Sequence, residues 1–160
     1  MNKERILQLI IDSLAGDLAV VYNAAKTAYE ASIHAENLPD NKYDTLSLEA
    51  SYVAQGQANR AQEIRLALDT YKNLSLRHFS ADAAIRQTAL VTLEAGDGTV
   101  KRVFIGPQAG GLKVADDGGE VTVITPGSPL GIGLIGRVVG DVVSMGRGGG
   151  EKEFEIVEVC

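Results

Sequence analysis

Two long heptad patterns constrain the first half of the chain more than any other feature. In the first pattern, apolar or small residues recur at steps of four and three: Leu7, Ile11, Leu14, Leu18, Val21, Ala25, Ala28 and Ser32. The second pattern steps through Leu46, Ala50, Val53, Gln57, Arg60, Ile64, Ala67, Tyr71 and Leu74, beside a competing small stripe at Ala50, Ala54, Ala58 and Ala61. Such repeats are typical of coiled-coil helices. The sequence therefore predicts two helices, each on the order of 45 Å long at about 1.5 Å per residue.

A short acidic segment, His34–Asp44, separates the two patterns. Pro39 lacks a backbone donor and disfavours a helical conformation at Leu38, so the helix ends here. A connection this short makes its two helices antiparallel neighbours. We therefore predict that residues 1–74 form an antiparallel coiled-coil hairpin whose tip lies at about residues 36–44.

The second half of the chain has the pattern of a small sheet. Residues 75–88 lack a clear period and are predicted to be a linker, and 89–160 are predicted to form the second domain. Gly96-Asp97-Gly98 is a strong hairpin signal, and Ser128 followed by Pro129 is a favourable helix start. The predicted strands lie at 89–94, 99–105, 112–114, 120–125, 142–144 and 152–159, with a short extended piece at 138–139 and a turn at 140–141 before the fifth. The predicted fold class is α+β, with an antiparallel sheet and one short helix in this domain.

Composition narrows the function classes. The net charge of −6 and the absence of Trp disfavour a stand-alone nucleic-acid binder. Lys101, Arg102 and Lys113 could form a local basic strip or a solvated sheet face. The single cysteine, Cys160, excludes an intramolecular disulfide. No apolar run approaches the roughly 18 residues of a membrane span, and the start does not resemble a signal peptide, so we expect a cytoplasmic protein.

The predicted hairpin tip contains the candidate metal-binding residues of the sequence. Glu36, Asp40 and Asp44 are carboxylates, which are preferred ligands of Mg²⁺. They could complete a metal site whose other ligands come from a second macromolecule, and a metal held there could activate water. The alternative is that they only solvate a turn. His34 and His78 lie in no metal-binding or nucleophile pattern, so nothing local predicts an independent enzyme.

The order of these parts resembles the bacterial Gre transcript-cleavage factors. The most specific strings are Ser128-Pro129-Leu130-Gly131, Leu134-Ile135-Gly136 and Gly140-Asp141-Val142-Val143, with Arg137 in place of the family's usual lysine. The resemblance covers nearly the whole chain. It implies an FKBP-like second domain without proline-isomerase activity.

The resemblance also implies a function as a cofactor of RNA polymerase. Ser128, Pro129, Leu130 and Gly131 would bind the outer rim of the polymerase secondary channel, and the hairpin would reach down the channel. Glu36 and Asp40 would then help to hold the second catalytic Mg²⁺, shared with the polymerase, so that the polymerase cleaves backtracked RNA. The chain would be a monomer that binds no cofactor alone, contacts nascent RNA only indirectly, involves no membrane and is no enzyme by itself.

Two departures from the family pattern fall on functional positions. Asp40-Asn41-Lys42-Tyr43 matches the family tip with one residue fewer and without its last acid, and Glu36 lies four residues before Asp40 instead of three. Gly127 stands where the family has an acid. A second hypothesis is therefore a paralogue that occupies the same channel and modulates transcription without cleavage. A third is a coiled-coil interaction module unrelated to the polymerase.

Overall fold

The fold is described from a computed structural model, in residues 2–36 and 42–160, with side chains described outside 35–47. Two long helices, α1 (Lys3–Glu36) and α2 (Lys42–Lys72), precede a six-stranded sheet. The predicted α+β class is confirmed. The chain divides into two compact units, Ile11–Asp69 and Met1–Ile10 with Thr70–Cys160, so the division lies within both helices.

In the unit Ile11–Asp69, the predicted seam of α1 is confirmed where the side chains are described. Buried or half-buried positions recur at steps of four and three: Leu14, Leu18, Val21, Ala25, Ala28 and Ser32. Near the tip, the hydroxyls of Ser32 and Ser51 lie 2.6 Å apart and share a hydrogen bond across the two helices. Small side chains at this end let the helices approach closely enough for that bond.

The predicted seam of α2 is wrong at two positions. Val53 is 54% exposed, and the Arg60 side chain is 63% exposed and pairs with Glu63. Ala54 and Ala61, from the competing small stripe, are half-buried instead. Alanine allows a closer helix approach than valine or arginine does, and Arg60 keeps its charge in water by facing outward.

One described helix, Lys3–His34, is long and apolar enough to cross a membrane by length and composition alone. The expectation that no apolar run approaches the length of a membrane span is therefore wrong for this helix. A single such helix near the start of a chain is weak evidence, because core helices of soluble proteins and signal sequences meet the same criterion. Its heptad pattern accounts for the apolar content equally well.

The sheet has the strand order β3-β4-β2-β1-β6-β5. The strands are β1 (Leu90–Ala95), β2 (Val100–Ile105), β3 (Lys113–Asp116), β4 (Gly119–Ile124), β5 (Val142–Met145) and β6 (Lys152–Val159), with the short helix α3 (Pro129–Leu134) before β5 and a 3₁₀ turn at Gly148–Gly150. Every neighbouring pair is antiparallel except β2 and β4, which are parallel. The sheet is therefore mixed, and the prediction of a purely antiparallel sheet is corrected at this pair.

The parallel pair arises because β4, not β3, lies beside β2. Val121 and Val123 of β4 are fully buried, whereas Lys113 and Ala115 of β3 are exposed. The more apolar strand therefore takes the interior place and the short polar strand takes the edge.

The main core lies on the face of the sheet that α3 covers. It comprises Phe79, Ile85, Ala89, Val91, Leu93, Ala95, Val103, Ile105, Ile124, Leu134, Val143, Phe154, Ile156 and Val159. Phe79 and Ile85 come from the segment predicted as a linker, which has no helix or strand but contributes two large side chains to the core.

The first residues of α1 and the last of α2 are anchored to the sheet unit. The Lys3 ammonium donates to the Thr88 carbonyl at 3.0 Å, and burial lowers its pKa. Tyr71 is fully buried, and its hydroxyl donates to the Gln108 carbonyl at 2.7 Å. Gly106 lies against that hydroxyl and leaves no room for a side chain. These contacts fix both helix ends on the sheet.

Candidate functional site

The segment around Ser128 forms a capped helix start. The Ser128 hydroxyl donates to the Thr125 carbonyl at 2.7 Å and accepts from the Gly131 amide at 3.1 Å. Pro129 occupies the first turn of α3, where a missing amide hydrogen costs nothing. The predicted cap is confirmed. Because the hydroxyl is committed to the cap, Ser128 acts here as a structural residue. Neither of these two contacts supplies a base that would activate it as a nucleophile.

Gly131 allows a close approach of the backbone in this turn, and Leu130 packs against the core. A Cβ at Gly131 would lie 2.0 Å from the Thr125 carbonyl oxygen, so only glycine fits. Leu130 is half-buried and packs against the main core. Pro129 is exposed, and Ile132, one turn further on, is 68% exposed. Pro129, from this string, and Ile132, the residue that follows it, therefore form the surface available to a partner.

The glycine and aspartate positions after α3 shape the next turns. Gly136 adopts a φ of 85°, and its amide donates to the Ile85 carbonyl at 2.9 Å. The Ile85 amide in turn donates to the Arg137 carbonyl at 2.8 Å. The Asp141 carboxylate accepts from the Val138 amide at 3.0 Å. These residues hold α3 in place, while the Arg137 side chain is exposed.

The side chains of the predicted tip acids lie outside the part of the chain that the structure describes. Glu36 is the last residue of α1, but its side chain and all of Asp40 lie outside the described residues, as does Asp44's carboxylate. The shared Mg²⁺ site at Glu36 and Asp40 therefore stays a prediction. Among the side chains that are described, no group of three or more His, Cys, Asp or Glu could hold a metal ion.

The predicted basic residues of the sheet are not one strip. The Arg102 side chain is only 7% exposed, and its guanidinium donates to the Asp116 carboxylate at 2.9 Å. This bond holds the pKa of Asp116 below its usual range. Lys113 pairs with Glu120 at 3.1 Å, and the Lys101 ammonium lies 5.4 Å from the centre of the Phe154 ring.

Two concave surfaces were not predicted from the sequence. A cavity of about 410 Å³ lies in the sheet unit between β2, β4 and α3. A groove of about 980 Å³ runs along one side of the helical unit, where Tyr22 and Tyr29 are 63% and 60% exposed beside small residues such as Ala54 and Ala58. Both are built from side chains far apart in sequence, so no local pattern reveals them.

Comparison with known proteins gives low-similarity matches among solved structures. No protein-family model matches the sequence, and no curated protein matches it. The GreA factor homolog 1 (Gfh1) of Thermus thermophilus is 22% identical over 94% of each chain, with a TM-score of 0.39. The Gfh1 of Thermus aquaticus is 25% identical over 92% of each chain, with a TM-score of 0.41. The transcription elongation factor GreA/GreB from Nitrosomonas europaea is 17% identical over 82% of this chain and 90% of that one, with a TM-score of 0.36. Identities and TM-scores at this level do not establish membership of a family.

Proposed function

We propose that this chain is a Gre-type transcription factor that binds RNA polymerase. The observation that carries the proposal is the segment from Ser128 to Val143, where the strings that resemble the family fold into a capped helix and its supporting turns. Ser128 and Gly131 build the helix start, and Pro129 and Ile132 remain exposed for a partner. The segment would bind the rim of the polymerase secondary channel.

The helical hairpin would act at a distance from that binding surface. Helices α1 and α2 contain 34 and 31 residues. At about 1.5 Å per residue, each spans roughly 45 to 50 Å, which is long enough to enter a deep channel. Glu36 and Asp40 would there share Mg²⁺ with the polymerase, which would use a metal-activated water to cleave backtracked RNA. The chain would supply ligands and no catalysis of its own.

A second function is favoured by a specific sequence feature. Glu36 and Asp40 are four residues apart around Pro39, and the acid that follows in the family tip is missing. A changed separation between two carboxylates alters metal geometry, to which Mg²⁺ is particularly sensitive. The alternative function is therefore occupation of the same channel without cleavage, which would inhibit or modulate transcription.

Cell location follows from the same proposal. A polymerase factor would be a cytoplasmic monomer, whereas the apolar composition of α1 would also suit a membrane-attached protein. Fractionation of cells that express the untagged chain distinguishes these cases. We expect the protein in the soluble fraction, and recovery only with membranes would contradict the proposal.

A binding competition tests the proposal directly. Fluorescently labelled protein is titrated with purified bacterial RNA polymerase and then displaced with an unlabelled Gre factor. Ile132→Glu places a charge on the proposed binding surface, and Val157→Glu places one on β6, where Val157 is 37% exposed. We expect wild type and Val157→Glu to bind and be displaced, and Ile132→Glu to bind about tenfold more weakly or worse, as for a central apolar contact. Absence of wild-type binding, or binding that a Gre factor does not displace, would refute the proposal.

A further inference from the structure

The cavity of about 410 Å³ in the sheet unit is large enough to receive a side chain or a small ligand. Its lining combines strands β2, β3, β4 and β5 with α3. The residues that line it are Val100, Lys101, Arg102, Val103, Lys113, Gly118, Gly119, Glu120, Thr122, Ile124, Leu130 and Met145. All belong to one compact unit, so the cavity is a feature of that unit alone.

The floor of the cavity is apolar. Val103 and Ile124 are 3% and 9% exposed and belong to the main core. Leu130 and Met145 are partly buried and pack against the same core. An apolar group that enters the cavity would therefore exchange water for hydrocarbon contacts, which favours binding.

The rim of the cavity carries one lysine, Lys101, that is described in contact with an aromatic ring and not with an acid. Three basic side chains and one acidic side chain line it, whereas the whole chain has a net charge of −6. Arg102 is bonded to Asp116, and Lys113 is bonded to Glu120. The contact of Lys101 is instead with the face of Phe154, and its ammonium lies at the exposed start of β2. Because Arg102 and Lys113 are paired with acids, a carboxylate at the rim would be attracted by Lys101.

We propose that this cavity recognises a peptide segment in which an apolar side chain is followed by Asp or Glu. The apolar side chain would occupy the floor, and the carboxylate would pair with Lys101. This inference rests on the proposed function, because it assigns the segment to the polymerase element that binds α3. Leu130 connects the two surfaces, since it belongs to the Ser128–Gly131 string and also lines the cavity.

Peptide titration tests the recognition chemistry without the polymerase. The full chain, labelled with ¹³C on its methyl groups, is titrated with acetyl-Leu-Glu-amide and, separately, with acetyl-Leu-Lys-amide. We expect the methyl signals of Val103, Ile124, Leu130 and Met145 to shift with the acidic peptide and not with the basic one. Shifts of equal size with both peptides, or with neither, would overturn the charge-selective site.

Polymerase binding tests whether the same site is used in the complex. Lys101→Glu reverses the rim charge, and Lys72→Glu makes the same change on α2, outside the cavity. Thr122→Trp fills the cavity from β4, and Thr122→Val leaves it open with nearly the same shape. Circular dichroism verifies that each variant is folded.

Lys101→Glu and Thr122→Trp should weaken polymerase binding about tenfold, and Lys101→Glu should also reduce the salt dependence of association. The two control variants should bind within about twofold of wild type, as expected for changes outside an interface. If wild type binds and both cavity variants bind equally well, the cavity is not used and the proposed function survives. If wild type does not bind polymerase, the proposed function fails, and the assignment of the segment to the polymerase fails with it.

Discussion

The contact between Gly106 and Tyr71 allows one stability prediction to be worked out in detail. A Cβ at Gly106 would lie 2.0 Å from the Tyr71 hydroxyl oxygen and 3.1 Å from the ring carbon that bears it. Gly106 does not have a left-handed backbone conformation, so the cost of Gly106→Ala is steric. Overpacking of this kind costs about 1 to 3 kcal/mol. Since the clash is severe, we expect a loss of about 3 kcal/mol.

Tyr71→Phe removes the other side of the clash. Alone, it deletes the hydrogen bond to Gln108, which is 2.7 Å long, and should cost about 1 kcal/mol. In the double variant, the alanine methyl group occupies the space of the missing hydroxyl. The closest remaining approaches, 3.0 Å to a Val123 methyl and 3.1 Å to the ring, require only small shifts. The double variant should therefore lose only about 2 kcal/mol, with a coupling energy of about −2 kcal/mol.

Urea unfolding of wild type, both single variants and the double variant measures this coupling. The amide NMR signals of β1 and β2 report on the sheet unit itself, and equal m-values establish that the unfolding reaction is unchanged. Additive losses in the double variant would refute the close contact between Gly106 and the Tyr71 hydroxyl.

Three further predictions concern charge. Burial raises the pKa of Tyr71, so the fold favours the neutral phenol, and this contribution to stability is complete below about pH 10, the pKa of tyrosine in an unfolded chain. The free energy of unfolding should fall as the pH rises above that value. Urea unfolding between pH 8 and 11 should show that Tyr71→Phe removes this part of the fall. The lowered pKa of Asp116 contributes stability above about pH 4 that is lost as pH falls through the folded-state pKa. Asp116→Asn should therefore flatten the acid limb of a plot of melting temperature against pH, and should cost about 1 to 3 kcal/mol at pH 7 because Arg102 loses its carboxylate; an unchanged acid limb would contradict this. Glu94 lies directly opposite Glu155 in the β1–β6 pair, so Glu155→Lys should raise the free energy of unfolding by about 0.2 to 1 kcal/mol, and a loss of stability would show that the repulsion is unimportant.

The sequence predicts the elements whose signals are local. The seam of α1 follows from its apolar side chains, and the α3 start follows from Ser128 and Pro129. The seam of α2 was less well defined, because Ala54 and Ala61 carry little hydrophobic signal and compete with Val53 and Arg60. The choice between such stripes depends on how closely the partner helix approaches, which no single helix encodes.

The strand order and the cavity depend on distant residues. Local patterns identify β3 and β4 as a hairpin but do not specify which of them lies beside β2. That choice follows from burial of Val121 and Val123 in the complete sheet. The cavity similarly requires Lys101, Thr122 and Leu130 to meet from three separate elements. Single-residue chemistry was visible in the sequence, and its arrangement in space was not.

Cleavage of backtracked RNA tests the central proposal most directly. Elongation complexes with 3′-labelled RNA are incubated with Mg²⁺ and wild type, Glu36→Ala or Asp40→Ala, with Asp17→Ala, an exposed acid of α1 outside the predicted tip, as a control. We predict short labelled 3′ fragments with wild type and with Asp17→Ala, and none above background with Glu36→Ala or Asp40→Ala. No fragments with wild type, but suppression of cleavage by an added Gre factor, would identify the chain as a channel-occupying modulator. If wild type neither stimulates cleavage nor suppresses it, the result contradicts a role at the polymerase.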